Sequence, residues 1–274
     1  MNDLTTQSTV AAPSRLAAAV LMLLAMTVLP CVAQHQATLV MKNQTQSKPG
    51  IVRYLPASRS YEFNDGTITR TVKASEVDKV ILTQPPAGLQ QAVQQVNSGN
   101  YQAPIAVLQQ IAAAYTMMGP DVVASQALAL AYLRTSRTKD ALKICEDLVK
   151  NNPDALLDGN FASVYWETLL AEGKTAALRA SLRTAVETGG REVAAVAQVR
   201  RGDLEMQEKK PREALLDGYL RTILLFQDVT FIQPEALSKA IKAHEDLNEV
   251  QYAERWRKRL LGSFGDSEYA KKFK

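Results

Sequence analysis

Residues 131–153 read AYLRTSRTKDALKICEDLVKNNP, and this stretch decides the fold class. Ala131-Tyr132-Leu133 closes one apolar-periodic run, Asp140-Ala141-Leu142 opens a second, and Asn151-Asn152-Pro153 ends it. Apolar residues three and four apart, on both sides of a short polar hinge, describe two antiparallel amphipathic helices. The arrangement recurs. Upstream, Gly99-Asn100-Tyr101-Gln102-Ala103-Pro104-Ile105 forms a hinge of the same kind, with Pro104 where a small residue is expected. Downstream, Trp166, Leu169 and Leu170 lead to Glu172-Gly173-Lys174 and Ala177-Leu178. Gly202-Asp203-Leu204 then leads to Lys209-Lys210-Pro211-Arg212-Glu213-Ala214-Leu215. Taking 104, 141, 177 and 214 as equivalent gives spacings of 37, 36 and 37, and Ala253 marks a fifth unit 39 residues on. Small side chains there let antiparallel helices approach, while Tyr132, Leu148, Tyr165 and Leu220 fill the space between successive pairs. No pair can bury its apolar stripe alone, so the regular spacing predicts stacked pairs sharing one core.

The hinge at Gly99 to Ile105 and the spacing of the small residues resemble the tetratricopeptide repeat, over roughly residues 90–273. The resemblance implies a mainly α chain, an α-solenoid of about four to five helix pairs. It also implies that the first helix of each pair lines a concave groove holding extended peptides or partner helices. The groove residues it implies are Gln126, Leu130, Leu133 and Arg134, joined by Glu167, Asp203 and Gln207. At the C-terminus, residues 252–261 (YAERWRKRLL) lead into Gly265-Asp266-Ser267-Glu268-Tyr269-Ala270. That stretch is similar to the close of bacterial envelope tetratricopeptide proteins. These include the Tol–Pal-associated cell-division coordinator and the outer-membrane assembly lipoproteins, with Gly265 replacing the usual proline.

Ahead of the helices the pattern is strand-like. Thr38-Leu39-Val40-Met41, Ile51-Val52-Arg53-Tyr54, Ser60-Tyr61-Glu62-Phe63, residues 67–72 and residues 77–82 make about five short strands, and Asn64-Asp65-Gly66 is a tight-turn signal. Five strands in so short a length predict a small SH3-like or Sm-like β-barrel, because curling the sheet removes exposed edges. Pro85-Pro86 stops the last strand and a helix begins near Ala87. The expected organisation is a β-domain at 37–83 and a helical repeat domain at 87–274.

The first 33 residues stand apart. Arg15 precedes the apolar run 16–29 (LAAAVLMLLAMTVL), followed by Pro30, Cys31, Val32 and Ala33. A basic residue, a short apolar run and small residues at a cut describe a signal peptide cleaved near Ala33, and hence a periplasmic or secreted protein. The run is shorter than the ~20 residues that span a bilayer. An uncleaved anchor is one alternative, and lipid attachment at Cys31 is a second, with Pro30 a poor match for the small residue that usually precedes such a cysteine. Cys145 alone remains in the mature chain, at an apolar-periodic position, so stability must come from packing rather than a disulfide. The formal net charge is +4, and export argues against nucleic acid as the partner.

Catalytic constellations are sparse. The chain has two histidines, His35 and His244. His35 falls where a disordered terminus is expected, and His244, beside Glu245 and Asp246, reads as a solvated or capping residue. With one mature cysteine they make no zinc set and no nucleophile–base pair, so no metal, cofactor or catalytic residue is expected. Glycine-rich phosphate loops are missing from the sequence. Glu167, Glu172, Glu187 and Glu192 stand at helical spacing and read as a wet face. Arg201-Gly202-Asp203 spells an adhesive tripeptide but falls within a helix, whereas such motifs are displayed on loops. The cluster Arg255, Arg257, Lys258 and Arg259 around Trp256 reads as a solvated face, or as a patch for an anionic polymer or membrane surface. The expected function is an envelope scaffold binding a protein or peptide; a cell-wall carboxylate hydrolase and a structural spacer are the alternatives.

Overall fold

The N-terminal strands form one antiparallel sheet in the order β4-β3-β2-β1-β5. The computed structural model describes residues Gln34–Lys274; the signal segment, its cleavage near Ala33 and Cys31 lie outside the described residues. The strands are β1 (His35–Met41), β2 (Gly50–Leu55), β3 (Ser60–Asn64), β4 (Thr69–Lys73) and β5 (Val77–Leu82), with a 3-10 turn at Ala74–Glu76. Alternation buries Ala37, Leu39, Val52, Tyr54, Tyr61, Phe63 and Val77 on one face. The tight turn forms as its sequence dictates: Asp65 accepts from the Thr67 hydroxyl and from the Ile68 and Thr67 amides, which together hold its carboxyl down at about 2.

The expected closed barrel is corrected here. No pairing joins β4 to β5, so the described sheet is open. Thr69, Arg70, Thr71 and Lys73 of β4 are all exposed, which leaves that strand little apolar surface to curl inward. The sheet's inner face is covered instead by Met118, Met117 and Tyr115 from the helical part. His35 is ordered at this junction, contrary to expectation. Its ring stacks on Tyr115 with centroids 3.9 Å apart, and its Nε2 is 2.9 Å from the Ala114 carbonyl oxygen.

Helices follow in antiparallel pairs. The first is α1 (Leu89–Asn97) with α2 (Ile105–Ala114); the second is α3 (Pro120–Arg134) with α4 (Thr138–Asn151). The third is α5 (Gly159–Ala171) with α6 (Thr175–Thr188). The fourth joins α7 (Arg191–Gln207) to a composite helix: α8 (Pro211–Ala214), a π-helical stretch (Leu215–Tyr219) and α9 (Leu220–Leu225). The fifth is α10 (Gln233–Asp246) with α11 (Val250–Phe264), and a short α12 (Glu268–Lys271) closes the chain.

One turn is repeated in every pair. Gly99, Ser136, Gly173, Lys209 and Asn248 have φ of 88°, 60°, 65°, 61° and 57°, spaced 37, 37, 36 and 39 residues apart. Around each, the amide of the following residue bonds a carbonyl five residues back, as in Asn100 to Gln95, Arg137 to Tyr132 and Lys174 to Leu169. Lys210 to Glu205 and Glu249 to His244 complete the set. This is the Schellman end of a helix, which satisfies the last carbonyls and reverses the chain. Five residues beyond each turn residue lie Pro104, Ala141, Leu178, Ala214 and Ala253, all buried. The third unit is therefore shifted by one from the expected register: Ala177 is exposed and Leu178 holds the inner position.

The core is continuous. One buried cluster runs from Ala92 to Val164 and another from Leu142 to Ala270, with Leu156 and Tyr165 packed against both. Tyr115 joins the first of these to the core of the sheet. Cys145 is fully buried, and burial pushes its thiol up to about 12.

Candidate functional site

The first helices α3, α5, α7 and α10 neighbour one another along the stack. On α3, Gln126, Leu130 and Leu133 are half-buried and Arg134 is exposed. Arg134 Nη1 donates to Glu167 Oε1 of α5 at 2.6 Å. This pair is well exposed and contributes little to stability. Its value lies in placing a charge of each sign on an accessible face.

One turn further into the stack the charges are buried. Arg200 of α7, 8% exposed, donates Nη1 to Asp203 Oδ2 and to Glu235 Oε1 of α10, each at 2.6 Å. Its Nη2 donates to Ser163 Oγ of α5 at 2.8 Å. Lys239 Nζ reaches Asp203 Oδ2 at 2.6 Å and Glu235 Oε1 at 2.8 Å. The Tyr219 hydroxyl, presented by the π-helical stretch, donates to Asp203 Oδ1 at 2.9 Å. Two cations and two carboxylates thus interleave across two helices, α7 and α10. Burial alone would raise the Glu235 carboxyl, yet Arg200 and Lys239 outweigh it and hold it at about 2. Burial likewise opposes the Arg200 charge, while Glu235 and Asp203 drive its pKa upward.

The C-terminal helix reaches the same face. Tyr269 of α12 lies beside Glu235, and burial, then the Glu235 charge, raise its phenol. Ala270 behind it is fully buried.

Of the residues expected to line a groove, the structure joins Arg134 to Glu167 and draws Asp203 into the buried cluster. Leu130 and Leu133 are half-buried apolar residues; Gln126 and Gln207 form no side-chain hydrogen bond among the described residues, and Gln207 is exposed on the last turn of α7. Arg200, Glu235, Lys239 and Tyr269 escaped the sequence reading. A signal existed: Arg200 ends the otherwise apolar or amide run 193–199 (VAAVAQV), and a charge in so apolar a helix demands a partner.

His244 is also placed differently from expectation. It is 5% exposed, with Nδ1 2.8 Å from Glu249 Oε2, and its Nε2 accepts from Trp256 Nε1 at 3.2 Å. Trp256 itself is buried, with the Arg255 guanidinium 5.5 Å from its ring centroid. Arg257 is committed to Glu245 at 2.6 Å and to Glu254, whereas Arg255 and Lys258 remain exposed and Arg259 is half-buried. Among the described residues no group of three or more His, Cys, Asp or Glu could hold a metal, and no helix is long and apolar enough to cross a membrane.

No protein-family profile and no curated relative matches the chain. Several solved structures are similar to it. TTC0263, a thermophilic TPR protein of Thermus thermophilus, is 17% identical with a TM-score of 0.48, over 68% of this chain and 96% of that one. A putative kinesin light chain of Podospora anserina with nearly identical TPR-like repeats is 14% identical with a TM-score of 0.47, over 64% and 92%. MamA of AMB-1 is 16% identical with a TM-score of 0.42, over 64% and 95%. At such scores these likenesses carry no functional weight, and the fold rests on the five turns and the shared core.

Proposed function

We propose that this chain is an exported helical-repeat scaffold of the tetratricopeptide kind, holding a partner protein or peptide in the bacterial cell envelope. The observation that carries this reading is the packing of α12 on the first helix α10, where the chain already holds a short segment of itself with Ala270 fully buried. A face that seats Tyr269 and Ala270 has the chemistry to seat a partner segment on the adjoining stretch. There Leu130 and Leu133 supply apolar area and Arg134 and Glu167 supply charges of both signs. This stretch is the concave groove of the proposal.

Other features support the setting. The order β4-β3-β2-β1-β5, with a 3-10 turn ahead of β5, favours reading the sheet as an SH3-like module left open between β4 and β5. We place the sheet at the groove's first end, as a second contact or a spacer. Arg255 and Lys258, exposed on α11, suit a peripheral contact with an anionic polymer or membrane surface, and the N-terminal 33 residues suit export. Hydrolysis at this cluster is disfavoured on chemical grounds. A general acid needs a raised pKa, and Glu235, the buried carboxyl of this face, is held at about 2 by two cations.

The test is affinity capture from envelope extract with the wild type, Arg134→Glu, Glu167→Arg and the double charge swap. Each single variant should lose a specific partner that the wild type retains, with unchanged helical circular dichroism. Retention of every partner by both folded single variants would sink the groove assignment. Export is tested by fractionation and by the mature N-terminus, expected at Gln34.

A further inference from the structure

A second site lies on the other side of α7, between α6 and α7, away from Arg200 and Asp203. The repeat register locates it. Counting back eight and four residues from the left-handed turn residue gives Leu128 and Tyr132, Tyr165 and Leu169, and Ala240 and His244 in the second, third and fifth pairs. All of these are buried except Tyr165, which packs partly buried against the core. The fourth pair has Arg201 and Glu205 at those positions. The first pair, at the end of the stack, has Gln91 and Gln95 there. Two charged groups one helical turn apart, at places where three sister pairs pack, are a local departure that packing does not require.

Arg201 and Glu205 line a cavity of about 360 Å³ with Leu182, Val186 and Leu204 as apolar walls and Arg179, Arg183 and Glu187 around them. A cleft among α2, α3 and α4 has a similar volume of about 360 Å³ and no basic residue in its lining, where Leu128 takes the place of Arg201. Within the α6–α7 cavity the charges are unevenly used. Arg179 is taken by Glu205 at 2.9 Å and Glu208 at 2.5 Å. Arg201 reaches only Gln198 Oε1, at 3.4 Å, and Arg183 has no carboxylate partner among the described residues. Three arginines against Glu187 and Glu205 leave one positive charge in the lining.

We infer that this cavity binds an aliphatic carboxylate, its apolar stem on Leu182, Val186 and Leu204 and its carboxylate held by Arg201 and Arg183. The planar guanidinium fork matches a carboxylate in two parallel hydrogen bonds. A single surplus charge suits a monoanion; a phosphate dianion would meet Glu187 and Glu205 at the same wall. The apolar side of the cavity favours a stem of several carbons over a bare ion. The inference is independent of the groove on the opposite side of α7.

The experiment is ligand-observed NMR and calorimetry on the mature chain with hexanoate, hexanamide, inorganic phosphate and acetyl-alanyl-leucine with a free carboxylate. Hexanoate or the peptide acid should bind with a dissociation constant on the order of 1 mM or tighter, and hexanamide at least about tenfold more weakly. Binding by hexanoate alone points to a free acid, and binding by both points to a carboxylate end group shared with peptide C-termini. Arg201→Leu installs the residue that the second pair carries, so its Tm should stay level or rise while binding falls at least about tenfold. Arg183→Gln, on an exposed position of α6, should weaken binding without unfolding. Hexanamide or phosphate binding as well as hexanoate, no carboxylate binding at all, or full binding by folded Arg201→Leu would each overturn the assignment.

Discussion

A methyl group placed on Gly218 would lie 2.5 Å from the Gly202 Cα, and one on Gly202 would lie 2.5 Å from the Tyr219 ring. These glycines are therefore where α7 and the composite second helix cross backbone to backbone, and Gly202 in the Arg201-Gly202-Asp203 tripeptide is explained by that crossing. Gly218→Ala should cost about 1–3 kcal/mol through overpacking, read as a lowered urea midpoint with unchanged slope. Gly262, inside α11 with open space around its Cα, is the control: Gly262→Ala should add about 0.5–1 kcal/mol. Cys145 gives a second residue-scale expectation. With its thiol pushed up to about 12 in a fully buried site, it should resist alkylation at mildly alkaline pH until the protein unfolds. Rapid labelling of the native chain would contradict that burial.

At the scale of elements, the left-handed turns set the repeat, and they explain where sequence reading succeeds and slips. Small residues at 141, 214 and 253 are legible because antiparallel helices need them, and the same logic selects Ala177. The backbone selects otherwise: with Gly173 at φ 65°, the inner position falls five residues on, at Leu178. Glycine marks only two of the five turns, because Ser136 and Lys209 adopt the same conformation against their preference and Asn248 tolerates it. Lys209→Gly should therefore raise stability by about 0.5–1 kcal/mol, the left-handed penalty less the extra entropy of unfolded glycine. Gly173→Ala should lower it by about 1–2 kcal/mol, although a Cβ there meets nothing within 4 Å, so the loss is conformational rather than steric. The sheet shows a different limit. Its five strands and the turn at Asp65 are local signals and read correctly, whereas closure depends on what covers the inner face. Tyr115 and Met118, far along the chain, do that covering.

On the scale of the whole molecule, the Arg200 cluster ties the third, fourth and fifth pairs together through Ser163, Asp203, Tyr219, Glu235 and Lys239. Repeat register alone names Arg134 and Glu167, which the structure pairs. The buried cluster was not legible, because Arg200 and Glu235 lie 35 residues apart and meet only once α7 and α10 are stacked. Such a cluster need not make the fold more stable than an apolar replacement would, since desolvation offsets much of the attraction. Removing one partner is another matter: Arg200→Met leaves Glu235 and Asp203 buried with Lys239 as their remaining cation, and should cost about 3–5 kcal/mol. The acid limb carries the same signature. Glu235 is depressed from 4.5 to about 2, so its contribution is fully present above pH 4.5 and is lost as pH falls toward about 2. Stability measured by urea unfolding should therefore drop steeply across that window in the wild type. In Glu235→Gln, already weaker at neutral pH, the drop should be shallower; equal slopes in the two proteins would mean that Glu235 is not held by Arg200 and Lys239.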